Sequence, residues 1–203
     1  MLDYDIRMAL AAMLRSEHQD AAENRLWSEF SVLLGAARVD LCLVNGALSG
    51  WEIKSPRDNL DRLAGQVQSY NQVLDYVSIV ASTRDLARVR DRVPKWWGIV
   101  EAIETPDGVA LRPRRMARRN RNIDALSVAQ LLWRDEAVQE LVGRGIQRRW
   151  AKATRWDVWD ALVETLTLDE LRSVVRHRLR ARPPREADRP YMPDGVTLLS
   201  PAT

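Results

Sequence analysis

Apolar positions change period several times along the chain, and each change marks an element. Ile6, Leu10, Met13 and Leu14 recur at helical spacing, so residues 3–16 are predicted as an amphipathic helix with Asp3 or Asp5 as its cap. The polar stretch Ser16 to Asn24 ends this period, and LWSEFSVLL then predicts a short strand near Phe30–Leu34 with Glu29 at its start. Arg38–Val44 and Ala47–Lys54 read as two apolar strands around Asn45-Gly46, a hairpin signal. Leu60, Leu63, Val67, Tyr70, Val73 and Leu74 predict a helix of about four turns, with Asp58 available as a cap. Tyr76–Ser82 is a near-continuous apolar run, as in a central strand. Thr83–Arg92 reads as a short helix ended by Pro94, Trp97–Glu104 as a strand, and TPDG as a turn into Val109–Arg112.

The order is therefore α, β, β, β, α, β, α, β, β. Leading hairpins followed by crossover helices imply a mixed α/β sheet. From Ile123 the pattern is helical: one helix ends near Val142-Gly143, and Leu162, Leu166, Leu168, Leu171 and Val175 suggest two more. The expected division is a core at residues 1–113, a basic linker with a helical appendage at 114–182, and a Pro-rich, charged tail at 183–203, extended or disordered.

Composition adds bounds. With 46% hydrophobic and 29% charged residues, the 203-residue chain fits an ordinary soluble protein, one domain with an appendage. A net charge of +3 permits a nucleic-acid partner without demonstrating one. The single Cys42 excludes an internal disulfide and a cysteine zinc cluster. No signal peptide and no membrane-length apolar run are visible, so a cytoplasmic protein without a membrane partner is expected. Nothing in the sequence sets an oligomeric state.

The hairpin carries charges where Val, Leu or Ile belong. Asp40 interrupts one strand; Glu52 and Lys54, two residues apart, share a face of the next, while Trp51 and Ile53 take the other. Charges inside an apolar strand are costly unless they are paired or bind a metal. One reading is a buried ion pair, Asp40–Lys54 or Glu52–Lys54. The other is a site for one hard divalent cation, Mg²⁺ or Mn²⁺, with two carboxylates, a carbonyl oxygen and waters as ligands. Register matters here. A two-residue loop would pair Val44 with Ala47 and put Asp40 and Glu52 on opposite faces. A shared site needs one more loop residue or a bulge at Ser49-Gly50. The site face would then hold Asp40, Cys42, Val44, Glu52 and Lys54, and the other face Val39, Leu41, Leu43, Trp51 and Ile53. Both faces are mostly apolar, so the sheet should be covered on both sides. On the following helix Gln66 and Tyr70 are i, i+4 and share a face that can approach the carboxylates.

Two later segments are basic. Arg112 to Arg121, RPRRMARRNR, carries six arginines in ten residues. It reads either as a solvated loop or as a phosphate-contacting segment through Arg114, Arg115, Arg118 and Arg119. Arg144, Arg148, Arg149, Lys152 and Arg155 are interleaved with Trp150 and Trp156, either as a stacking surface for single strands or with the tryptophans in the core.

Glu29, Asp40, Glu52-Ile53-Lys54 and the Gln66/Tyr70 helix together resemble the PD-(D/E)XK nuclease superfamily, with Val39 where many members have Pro. The phrases RVDLCLVNG, GWEIKSPRDNLDRLAGQVQSYNQVLDYV, VPKWWG and LLWRDE are similar to an uncharacterised bacterial family, known by a locus-tag name and assigned to that superfamily, over roughly residues 5–180. The resemblance implies a restriction-endonuclease-like mixed sheet flanked by helices and Mg²⁺-dependent hydrolysis of nucleic acid, DNA above all. It implies metal ligands at Glu29, Asp40, Glu52 and the Ile53 carbonyl, Lys54 orienting water, and Gln66 and Tyr70 positioning substrate. The alternative is a non-catalytic nucleic-acid or protein-binding module on the same fold.

Overall fold

The structure is a computed structural model and describes residues 2–18, 24–55, 58, 60–146 and 150–183. A helix, α1 (Asp3–Glu17), precedes three antiparallel strands, β1 (Arg25–Val32), β2 (Ala37–Val44) and β3 (Leu48–Lys54). Helix α2 (Leu63–Asn71) crosses to β4 (Tyr76–Ser82), parallel to β3, and α3 (Leu86–Arg90) crosses to β5 (Gly98–Thr105), parallel to β4. Strand β6 (Gly108–Arg115) returns antiparallel along β5, so the six strands lie in chain order across the sheet. Four helices follow: α4 (Ala125–Ala129), α5 (Arg134–Gly143), α6 (Arg155–Thr165) and α7 (Leu168–Ala181). The expected α/β class and element order are the ones seen.

Each face of the sheet is covered because each supplies an apolar surface. On one, α1 sets Ile6, Leu10, Ala11 and Leu14 against Leu41, Ile53, Val80, Val100 and Ala102. Burying each large aliphatic side chain there contributes about 1.5–3 kcal/mol. On the other, α2 and the C-terminal helices share one cluster with the sheet, from Cys42, Val44 and Ile79 to Val128, Leu162, Val175 and Leu179. Reciprocal caps start the last two helices. Thr154 accepts from the Asp157 amide at 3.2 Å while Asp157 accepts from the Thr154 amide at 2.7 Å, and Thr167 and Glu170 repeat the pattern at 3.3 and 2.9 Å.

Several boundaries differ from the sequence reading. Strand β1 starts at Arg25 and stops at Val32, because Leu33 and Leu34 take left-handed backbone (φ 49° and 57°) in a short 3₁₀ turn, Leu33–Gly35. Helix α2 has nine residues rather than four turns. Asp58 does not cap it; its carboxylate instead closes the preceding turn by accepting from the Ser55 amide at 2.6 Å. Trp150 is buried, as the core reading had it, whereas Trp156 is 44% exposed. The tail beyond Pro183 lies outside the described residues.

Candidate functional site

The hairpin connection has three residues. Val44 pairs with Leu48 and Leu41 with Trp51, and Asn45 Oδ1 accepts from the Ala47 amide at 2.9 Å across the loop. This extra residue brings Asp40 level with Glu52. The β2–β3 ladder stops at Leu41–Trp51, and beyond it a side chain takes over the bonding: Asp40 Oδ2 accepts from the Ile53 amide at 2.6 Å.

Strand alternation also breaks here, on two strands at once. Between the pairs Ser28–Leu41 and Phe30–Val39, Glu29 adopts a left-handed φ of 51° and faces Asp40. In consequence Trp27 and Phe30 enter the same cluster, as do Val39 and Cys42. Val39 therefore lies on the α2 face, not with Leu41 and Ile53 as strict alternation required.

Arg7, on α1, neutralises the pair. Its Nη1 lies 2.9 Å from Glu29 Oε1 and donates to the Asp40 carbonyl at 3.0 Å, and its Nη2 donates to Asp40 Oδ1 at 2.8 Å. Burial works to lower the Arg7 pKa, but the charges of Asp40, Asp3 and Glu29 outweigh it and leave it raised. The Asp40 carboxyl is pushed up to about 7 by burial and by the charge of Glu52, with Arg7 and the Ile53 amide opposing. No sequence pattern marked Arg7, which acts across 33 positions.

Glu52 is satisfied separately. Its Oε1 lies 2.7 Å from Lys54 Nζ and accepts from Gln66 Nε2 at 2.6 Å; its Oε2 accepts from the Tyr70 hydroxyl at 2.7 Å. That hydroxyl also touches the Arg38 carbonyl, so one proton is shared between two acceptors. Burial and the charge of Glu52 raise the Tyr70 pKa, keeping the phenol a donor. Glu52 and Lys54 are 2% and 7% exposed. The Glu52–Lys54 ion pair is thus one of the two pairings the sequence offered. A cleft of about 820 Å³ opens over these residues, lined by Glu29, Asp40, Glu52, Ile53, Lys54 and Gln66 among others.

For a divalent cation this donor set is a poor fit. Arg7 bridges Glu29 and Asp40, Lys54 and Gln66 take Glu52 Oε1, and the Ile53 amide is bonded to Asp40. Among the described residues no three Asp, Glu, His or Cys side chains gather to hold an ion. What the arrangement does chemically is tie α1, β1, β2, β3 and α2 together through paired charges.

The arginines lie elsewhere. Lys54, Ala81, Glu101 and Arg112 form one row across the sheet, and from there β6 runs back towards the ends at which β3 and β4 begin. There the Asn120 amide donates to the Asp75 carbonyl at 2.8 Å. Arg115, opposite Ile99, is level with Glu52 but three strands away, and the segment beyond it runs on past the row in which β4 begins. Arg114 is spent on buried Glu101. Arg115 donates to the Trp97 and Pro94 carbonyls at 2.7 and 3.0 Å, and Arg118 to the Lys95 carbonyl at 3.2 Å. Arg119 lies 4.0 Å from Asp169. Arg148 and Arg149 lie outside the described residues.

The fold adds arginines that no local run revealed. Arg90 and Arg118 crowd Arg115, whose pKa is lowered first by burial and then by their charges. On α7, Arg172, Arg176 and Arg180 follow one residue behind the buried Leu171, Val175 and Leu179. Burial, then Arg180 and Arg119, lower the Arg176 pKa against Asp169. Arg172 is paired with buried Asp75 and also lies 3.1 Å from Asp169, the carboxylate that faces Arg119 and Arg176 as well.

Fold and site together define an α/β protein with an internally neutralised polar cluster at one end of its sheet and an arginine-rich surface at the other. The chain belongs to the bacteriophage P4 protein cII family, whose model matches residues 1–189. Protein cII of Enterobacteria phage P4 is 24% identical over 180 residues, covering 89% of this chain and 67% of the relative. No solved structure gives a significant match. Membership in this family corrects the assignment to the PD-(D/E)XK superfamily and to the locus-tag family, and with it the nuclease and hydrolase reading. The physical source of the error is plain: an E-x-K strand and a Gln/Tyr helix also make a self-satisfied ion-pair network. Among the described residues no helix is long and apolar enough to cross a membrane.

Proposed function

We propose that the chain is a non-catalytic nucleic-acid-binding module that holds DNA through its arginine surface. The observation that carries this reading is the step Arg118–Arg119. Arg118 reaches the Lys95 carbonyl, beside Arg90 and Arg115, while Arg119 reaches Asp169, beside Arg176 and Arg180. Two arginine clusters thereby become one row along the sheet end where β3 and β4 begin. Within the row Arg119 and Arg176 share the exposed Asp169, and like charges held together favour a polyanion. Phosphates supply counter-charge, and bound cations on DNA are released as they do so. The cluster around Glu52 and Asp40 supports the same reading from the other side: its charges are consumed in holding the sheet and helices that position the row.

The test is fluorescence anisotropy with a labelled DNA duplex and the full chain. Replacing Arg119, Arg176 and Arg180 together by Gln is expected to weaken binding at least tenfold, with Arg15→Gln on α1 as a control that leaves it unchanged. Equal loss in the control, or none in the triple variant, contradicts the reading.

A further inference from the structure

Met116 is 76% exposed, yet it stands in a fixed segment within the arginine row. Arg115 before it is held by the Trp97 and Pro94 carbonyls. Ala117 after it lies against Gly98, where an added Cβ would stand 2.4 Å from Ser78 Oγ and 3.0 Å from the Ala117 nitrogen. The Arg118 and Asn120 amides then donate to Trp96 and Asp75 carbonyls, each at 2.8 Å. Asn120 is buried and donates to the Asn71 and Leu74 carbonyls at 2.7 and 3.0 Å. A segment anchored on both sides of an apolar residue presents that residue without an ordering cost on binding.

We infer that Met116 is a wedge that enters the minor groove of duplex DNA and inserts between base pairs, while the arginines on either side hold the two phosphate strands. This rests on the nucleic-acid reading and narrows it to a duplex that is bent on binding. The chemistry favours this use. A thioether on an unbranched, polarizable chain suits an apolar contact of irregular shape. Apolar wedges of this kind unstack a base step and kink the helix, and the added phosphate contacts offset the cost. Beyond Met116 the guanidinium groups diverge: Arg118 reaches the Lys95 carbonyl ahead of β5, and Arg119 extends to Asp169 on α7, so each can meet a different phosphate strand.

The experiment uses the full chain and a DNA duplex carrying a donor and an acceptor dye at its two ends, with anisotropy for affinity and energy transfer for bending. The parent should bind and raise the transfer efficiency. Met116→Ala and Met116→Gln should bind about tenfold more weakly, the effect of leaving one such side chain unburied, and should lose the bend. Met116→Leu should keep both, and all three should retain the parent's circular dichroism spectrum. If Met116→Ala binds and bends like the parent, or if the parent binds only single strands, the wedge is overturned and the nucleic-acid reading survives. If the parent binds no DNA of either kind, both fall.

Discussion

Arg7 and Asp40 grip each other twice, Nη2 to Oδ1 at 2.8 Å and Nη1 to the carbonyl oxygen at 3.0 Å. The contact fastens α1 to the point where the β1–β2 and β2–β3 ladders both lose their regular pairing. It gives Asp40 a paired place in the fold. Arg7→Leu should therefore destabilise the fold by about 2–4 kcal/mol, because Asp40 loses its counter-charge and Glu29 keeps only the exposed Arg38 at 3.4 Å, the pair being partly shielded from water. Urea unfolding at pH 7 measures this; a change below about 0.5 kcal/mol would remove the structural role.

The pH dependence of Asp40 follows from its raised pKa. Its folded value is about 7, against roughly 3.9 for an unfolded aspartate. The native state thus holds the proton more tightly. The group's favourable contribution is complete below about pH 4, is lost as pH rises towards 7, and is flat above that. In Asp40→Asn this loss should disappear, so the variant should gain on the parent between pH 4 and 7 by up to about 1.4 kcal/mol per unit. Parallel stability curves for the two proteins would contradict this.

Lys54→Ala leaves Glu52 buried with only Gln66 and Tyr70 as partners. A loss of about 3–5 kcal/mol is expected, read as a lowered melting temperature. Tyr70→Phe removes the proton shared by Glu52 and the Arg38 carbonyl and should cost about 1–3 kcal/mol. Melts indistinguishable from the parent would show that the Glu52 network is dispensable.

Millimolar Mg²⁺ or Mn²⁺ is expected to leave the melting temperature unchanged, since the carboxylates are already taken by Arg7, Lys54 and their neighbours. A ligand that binds only the folded state raises it. A saturable rise that Glu52→Gln abolishes would restore a cation to this site.

Much of the fold was legible. The hairpin, the alternation of helices and strands and the buried run Tyr76–Ser82 follow from apolar period and from Asn45-Gly46. The charged residues were legible as a cluster but not in their full set of partners. Glu52 and Lys54 are neighbours on one strand, so their pairing could be foreseen. The partner that decides the meaning of Asp40 comes from α1, and nothing local to Arg7 distinguishes it from any solvated helix arginine. The paired kink at Glu29 and Asp40 was hidden for a related reason: left-handed backbone at a glutamate has no composition signal, and it moved Val39 to the other face. The arginine row was half visible. RPRRMARRNR stood out as a run, but Arg90, Arg176 and Arg180 join it only because β6 returns along β5 and α7 packs beside the β2–β3 turn, where Arg180 donates to the Asn45 carbonyl at 3.1 Å.

The salt dependence of duplex binding tests the central claim most directly. For the parent, a plot of log affinity against log salt should fall with a slope of about −0.9 for each phosphate neutralised. Three to six engaged arginines give roughly −3 to −5 on that relation. Replacing Arg118, Arg119 and Arg176 by Gln should flatten the slope by about three times that increment. A parent whose affinity is insensitive to salt, or a variant with the parent's slope, would contradict DNA binding through this row.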